Sequence, residues 1–134
     1  MTSSLTENPT NMKSIENRHH QLVNRLRSAE ARFERTPGSV CLVAVSKTRS
    51  PEAIRAIAAL KQKDFGENQL QEALGKIETL SDLDCTWHFI GSIQTNKCRD
   101  IAAHFDWVHS VDRIKIAKRL SNLRPATTAP LNIF

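Results

Sequence analysis

The sequence predicts an α/β protein, in which helices alternate with the strands of a parallel sheet. Short apolar segments of strand type alternate along the chain with longer stretches whose apolar residues recur every three or four positions. The first strand segment, 40–45, is apolar throughout and rich in β-branched residues, which is typical of a strand buried on both faces of a parallel sheet. Because strand and helix patterns alternate repeatedly, we expect successive β-α units with right-handed crossovers.

The N-terminal part predicts a tail followed by a leading helix. Residues 1–11 are polar and predict a disordered tail, whereas residues 12–134 predict one folded domain. Apolar residues recur from Ile15 to Phe33 at spacings of three and four, which predicts an amphipathic helix of about 20 residues. Pro37 and Gly38 predict the end of this helical region.

Further strands and helices follow the first strand. Strands are predicted at 63–66, 86–90 and 107–111, and the start of a fifth strand at 131–134. After the first strand, Ser50 offers an N-cap oxygen and Pro51 suits the first helical position. In the same way, we expect Thr95 or Asn96 and then Asp112 to cap the helices that follow the third and fourth strands.

Two architectures fit this order of a leading helix, four β-α units and the start of a fifth strand. One is an open, doubly wound sheet. The other is a (β/α)8 barrel, which typically needs about 250 residues, so that 134 residues hold only half of one. The pattern by itself favours the open sheet.

Composition and charge narrow the function classes. The chain carries 19 Lys and Arg against 14 Asp and Glu, a formal charge of 19 − 14 = +5. The basic residues are spread out and lack interleaved aromatic side chains, which favours a solvated surface over a nucleic-acid site. No apolar run approaches the roughly 18 residues of a membrane span, and no Cys or His pattern has metal-ligand spacing. The polar N-terminus lacks an apolar signal core, which predicts a cytoplasmic protein.

One lysine stands at the carboxyl end of the first predicted strand. Side-chain alternation puts Val43, Val45 and Lys47 on the same face. Ligands of parallel α/β folds bind at the carboxyl ends of the strands. Partial burial there would lower the pKa of the Lys47 amine, and a neutral amine can attack an aldehyde and form a Schiff base. The alternative is a lysine that reaches solvent where the strand ends, and strand position alone favours this alternative.

Five sequence blocks point to a family. They are VAVSKT at 43–48, FGEN at 65–68, WHFIG at 87–91, QTNK at 94–97 and VHSVD at 108–112. Together and in this order they resemble the pyridoxal phosphate homeostasis protein family, over roughly residues 12–133. Two positions differ from common family residues: Gln69 stands where a Tyr is frequent, and Ser92-Ile93 replaces a common Pro-Leu.

The resemblance implies a fold and a cofactor. The fold is a barrel of the alanine-racemase N-terminal type, so that residues 12–134 would be a partial barrel domain, the N-terminal half of a (β/α)8 TIM-type barrel with a leading α-helix. The cofactor is pyridoxal 5′-phosphate (PLP), which Lys47 would hold as an internal aldimine. Later strands of the family supply a phosphate cradle, so we expect this chain to retain the lysine without most of the phosphate grip.

Other polar residues near the strand ends are weaker candidates. By its place in the family motif, Asn68 would reach the cofactor ring, although capping of the next helix is the favoured role. Ser110 ends the fourth strand and is a candidate for a hydrogen bond to the cofactor. Glu67 either orients a polar group or favours a helix N-terminus, and His88 is interpreted as a buried histidine with satisfied hydrogen bonds.

Three functions are weighed. The first is a PLP carrier without amino-acid turnover, with PLP-dependent apoenzymes as possible recipients. The second is a PLP-dependent racemase-like enzyme, which is disfavoured because the chain has no Tyr for the second proton-transfer group and no second domain. The third is a basic nucleic-acid-binding or protein-binding module. A half barrel would also expose strand edges and its inner face, so we expect such a fragment to self-associate.

Overall fold

The computed structural model describes residues 8–134. The elements are α1 (Pro9–Arg32), β1 (Ala44–Val45), α2 (Pro51–Ala58), β2 (Asp64–Glu67), α3 (Leu70–Thr79), β3 (Thr86–Phe89), a 3-10 turn (Thr95–Lys97), α4 (Cys98–His104), β4 (Trp107–Val108), α5 (Ile114–Leu123) and β5 (Asn132–Ile133). This order confirms the predicted leading helix, four β-α units and fifth strand.

Helix α1 begins earlier than the sequence predicts. The Asn8 side chain accepts a hydrogen bond from the Thr10 amide, and Pro9 takes the first helical position. Residues 9–11 therefore belong to the helix, although the sequence predicts a tail over 1–11. The remainder of that predicted tail, 1–7, lies outside the described residues.

The predicted helix caps are only partly correct. Ser50 caps α2 as expected, with its hydroxyl 3.1 Å from the Ala53 amide. The cap prediction for Asp112 is wrong, because Arg113 occupies the N-cap position of α5 and makes no side-chain cap bond. Thr95 and Asn96 are likewise not caps, since they lie inside a 3-10 turn that precedes α4.

The sheet is parallel, and its five strands are adjacent in chain order, β1-β2-β3-β4-β5. An α/β fold with a parallel sheet is thus confirmed. A doubly wound sheet reverses its strand order at a switch point, which is where its ligands bind. No reversal occurs among these five strands, so the carboxyl ends of β1 to β5 line one continuous edge.

The core lies between one face of the sheet and the helices. Strand register places Phe65 beside Trp87 and Phe89 beside Val108, and all four side chains are buried. They pack against buried residues of the helices and of the α4–β4 connection, which are Ile54, Ile57, Leu70, Ala73, Ile101, Ala102, Phe105, Ile116 and Leu120. The Phe89 and Phe105 rings meet edge to face at 5.2 Å.

The prediction that segment 40–45 is buried on both faces is wrong. Only Ala44 and Val45 join the ladder, and the Val45 side chain is 53% exposed. The physical reason is that β1 pairs with β2 alone and lies at the edge of the described sheet. Strand register places Val45 on the sheet face opposite to the one that carries Phe65 and Trp87.

Candidate functional site

The candidate site lies at the carboxyl end of β1, in residues 46–49, which we call the lysine turn. The Arg49 amide donates to the Ser46 carbonyl at 3.0 Å and closes the turn. Thr48 has a φ of 64°, in the left-handed region that β-branched residues rarely adopt. Lys47 stands at the centre of the turn, and its side chain is exposed, as expected from the alternative of a lysine that reaches solvent where the strand ends.

Helix α3 holds the lysine turn from both sides of Lys47. The Lys76 ammonium donates to the Ser46 carbonyl at 2.7 Å. The Thr48 amide donates to Glu72 Oε1 at 2.6 Å. Glu72 and Lys76 are one helical turn apart and bond each other at 2.7 Å. The backbone flanking Lys47 is therefore fixed by two side chains of one helix.

A carboxylate of β2 completes this charge cluster, which consists of Glu67, Glu72 and Lys76. The Lys76 ammonium lies 2.5 Å from Glu67 Oε1, and both side chains are almost fully buried. Burial raises the pKa of Glu67, and the hydrogen bond and charge of Lys76 offset this only in part. Burial would also raise the pKa of Glu72, but the hydrogen bonds from Lys76 and Thr48 outweigh burial and lower it.

Sequence reasoning missed most of this cluster. Lys76 has no role predicted from the sequence, although it is buried and stands four residues after Glu72. That spacing was a usable signal for a pair, but nothing in the sequence shows that Ser46 and Glu67 lie beside it. The interpretation of Glu67 as a group that orients a polar side chain agrees with its contact to Lys76.

Asn68 follows β2 and lines a polar cavity of about 460 Å³ together with Gly91, Gln94 and Lys97, among others. The favoured capping role is wrong, because Gln69 occupies the N-cap position of α3 and no side-chain cap bond is made there. Instead, Asn68 Oδ1 is buried without a hydrogen-bond partner in residues 8–134. The loops after β2 and β3 approach closely here, since a Cβ on Gly91 would lie 2.6 Å from the Asn68 carbonyl oxygen.

Ser110 lies beyond the end of β4, which stops at Val108, and lines a second cavity of about 530 Å³. Ser92 lines both this cavity and the Asn68 cavity. The structure therefore brings Asn68 and Ser110 to opposite sides of the loop after β3. Lys47 lines neither cavity and stands at the neighbouring strand end.

A histidine cluster occupies the sheet face opposite to the core. His88 Nε2 lies 2.8 Å from Asp64 Oδ1, and His88 Nδ1 lies 2.9 Å from His109 Nε2. The Trp107 ring stacks on His88 at 5.7 Å, and Phe134 stacks on Trp107 at 5.4 Å. The interpretation of His88 as a buried, hydrogen-bonded histidine is confirmed. Burial, and then repulsion by His88, lowers the pKa of His109.

Residues 8–134 hold no group of three or more His, Cys, Asp or Glu that could bind a metal ion. None of the described helices has the length and hydropathy needed to cross a membrane.

The chain is similar to curated proteins that share the name pyridoxal phosphate homeostasis protein. The chain is 53% identical over 122 residues to a pyridoxal phosphate homeostasis protein of Pseudomonas aeruginosa, covering 91% of this chain and 53% of that protein. It is 42% identical over 126 residues to the protein of the same name from Escherichia coli, with 92% and 54% coverage. No family model matches the chain.

Two solved structures are also similar to this chain. PipY of Synechococcus elongatus, solved with PLP bound, is 46% identical with a TM-score of 0.65, over 75% of this chain and 47% of PipY. A protein from Bifidobacterium adolescentis, described as an unknown protein, is 27% identical with a TM-score of 0.77, over 87% of this chain and 52% of that one. The resemblance indicated by the sequence blocks is thus confirmed, and the chain spans about half the length of the curated relatives that it matches.

Proposed function

We propose that this chain binds PLP through the Lys47 amine and serves PLP homeostasis without turnover of an amino acid. The observation that carries the proposal is an exposed lysine in a held turn at the carboxyl end of β1, within the VAVSKT block. Relatives at 42% and 53% identity are named pyridoxal phosphate homeostasis proteins, and PipY was solved with PLP bound. PLP supplies an aldehyde, with which a primary amine condenses reversibly.

The described residues fit a flat, phosphorylated aldehyde next to Lys47. Asn68 has a buried amide oxygen without a partner and lines a polar cavity that also contains the cation Lys97. We assign Asn68 to hydrogen bonding with the cofactor from the β2 side, and Ser110 to the same task from the β4 side. The main phosphate-binding groups then belong to the part of the relatives that lies outside the matched region.

We also propose that the sheet is the N-terminal half of a (β/α)8 barrel, with α1 as its leading helix. Two observations support this: the five parallel strands follow chain order without reversal, and the chain spans about half the length of its relatives. Val45, His88 and Trp107 share the face opposite to the core and would face the barrel interior. Val45 is 53% and Phe134 68% exposed, so we propose self-association of the 134-residue chain through this face.

We also propose that the protein is a carrier, with PLP-dependent apoenzymes as recipients. The relatives are named for homeostasis of the cofactor rather than for a reaction. A carrier needs a reversible bond at an accessible amine, and the exposure of the Lys47 side chain suits release as well as binding.

A labelling experiment tests the proposal. The chain is mixed with PLP and reduced with borohydride, and the modified lysines are mapped by mass spectrometry. We expect the label on Lys47, its loss in Lys47→Arg, and its retention in Lys115→Arg, a matched change at an exposed lysine of α5. Label spread over surface lysines, or unchanged labelling in the Lys47 variant, would refute the proposal. Addition of an amino acid should give no racemised product by chiral chromatography.

A further inference from the structure

We propose that Glu72 and Lys76 are positioning residues, which hold the lysine turn in the conformation that binds PLP and so set the affinity of Lys47. This inference rests on the proposed function of Lys47. It concerns side chains that lie on the helix-covered side of the sheet, and neither Glu72 nor Lys76 lines the cavities beside Asn68 and Ser110.

The first step of the argument is the strain in the turn. Thr48, the residue after Lys47, has a φ of 64°. A β-branched residue in this region is an outlier that persists only where the surroundings determine it. Without an external hold, the turn would relax to other conformations, and the direction of the Lys47 side chain would change with it.

The second step is the identity of the hold. Glu72 accepts a hydrogen bond from the amide of Thr48 itself, at 2.6 Å. Lys76 donates to the carbonyl of Ser46, on the other side of Lys47, at 2.7 Å. Hydrogen bonds to charged groups are among the stronger ones in proteins. The backbone groups on both sides of the proposed PLP lysine thus bond to charged side chains of one helix.

The third step is the rigidity of the hold itself. The Lys76 side chain is 6% exposed, and it is fixed by Glu67 at 2.5 Å as well as by Glu72 at 2.7 Å. Because its ammonium contacts two carboxylates and a carbonyl, it has little freedom to follow a moving turn. Glu72 is more open, with 32% of its side chain exposed, so it is the better position for substitution without collapse of the core.

The experiment uses Glu72→Ala, Glu72→Gln and a control, Glu78→Ala, which changes an exposed glutamate of the same helix. PLP is titrated, the bond at Lys47 is reduced with borohydride, and label at Lys47 is quantified by mass spectrometry. Amide hydrogen exchange over 46–49 is measured without PLP, and urea unfolding reports overall stability. The Gln variant keeps an oxygen that can accept from Thr48, so it separates loss of the contact from loss of charge.

We expect Glu72→Ala to need about tenfold more PLP for half-maximal label, the size of effect that loss of one charged hydrogen bond gives. Exchange of the Thr48 amide should rise in the same variant. Glu78→Ala should stay within about twofold of the unmodified chain, and Glu72→Gln, which keeps a weaker neutral hydrogen bond, should fall between the unmodified chain and Glu72→Ala. If Glu72 acted only through its charge, Glu72→Gln would be labelled like Glu72→Ala. Better labelling with Gln than with Ala therefore supports the hydrogen bond to the Thr48 amide.

Two kinds of failure are distinguishable. If the unmodified chain takes no label at Lys47, the proposed function is refuted and the affinity argument fails with it. If the unmodified chain is labelled at Lys47 but Glu72→Ala matches it, or Gln does no better than Ala, only the positioning role is overturned.

Discussion

Replacement of Lys76 by Met is expected to destabilise the chain by about 3–5 kcal/mol, the usual cost of leaving one buried charge without its partner. The contacts of Lys76 show where this loss arises. Ser46 O keeps a second donor, the Arg49 amide at 3.0 Å, and Glu72 is 32% exposed and can be hydrated. Glu67 is 1% exposed, so water cannot take the place of the lysine there. The cost therefore concentrates on the Glu67 carboxylate.

Urea unfolding followed by circular dichroism measures this loss. The control is Lys63→Met, which breaks a surface pair with Asp84 and should cost at most about 1 kcal/mol. The double variant Glu67→Gln/Lys76→Met should regain more than half of the loss, since a buried neutral amide costs less than a buried charge. A loss below about 1 kcal/mol in Lys76→Met, or a double variant as unstable as the single one, would refute the reasoning.

The same variant has a pH signature. Burial raises the pKa of Glu67 above its ordinary 4.5, so the folded chain holds this proton more tightly than the unfolded chain does. Stability then falls as pH rises through that raised pKa. In Lys76→Met no lysine offsets the effect of burial on Glu67. The loss in free energy of unfolding relative to the unmodified chain should therefore be smaller at about pH 5 than at about pH 8. An equal loss at both would contradict the charge-based explanation.

Three further outcomes are expected. Hydrogen bonds, first from Arg27 and then from the Val40 amide, lower the pKa of Glu30 to about 2. The stabilisation by Glu30 is therefore present above pH 4.5 and is lost as pH falls toward 2. In urea unfolding, the difference in free energy of unfolding between Glu30→Gln and the unmodified chain should shrink over that pH window. Gly91→Ala should lower the thermal midpoint because its Cβ would meet the Asn68 carbonyl at 2.6 Å, whereas Gly75→Ala, with no atom within 4 Å, should stabilise α3 by about 0.5–1 kcal/mol. Sedimentation should show a mass above one chain, which Val45→Glu should reduce; one-chain mass at all concentrations would refute self-association.

The sequence predicts the order of elements because that order follows from local patterns. The alternation of apolar strands with amphipathic stretches is read within about a dozen residues, and so is the cap at Ser50 with Pro51 after it. Lys47 is placed at the end of β1 by the same local logic. The caps proposed at Asp112 and Thr95 failed because a cap depends on backbone angles at one residue, and these are set by how the helix packs.

The charge cluster was not predictable because its members meet only in the folded chain. Ser46 and Lys76 are separated by two elements, and Glu67 joins them through the pairing of β1 with β2. A buried lysine is rare, so the sequence gives no reason to expect Lys76 inside. The histidine cluster has the same origin, since register sets Trp107 beside His88 across β3 and β4.

Stability and binding are coupled through helix α3. The face that contributes Leu70 and Ala73 to the core lies next to the side chains of Glu72 and Lys76, which hold the lysine turn. A ligand that binds only the folded chain adds about 2.7 kcal/mol of stability at a hundred times its Kd. If Lys47 is the PLP lysine, saturating PLP should raise the thermal midpoint of the unmodified chain, and it should raise that of Glu72→Ala less at the same concentration. The difference between the two shifts then measures how much of the binding free energy depends on the held turn.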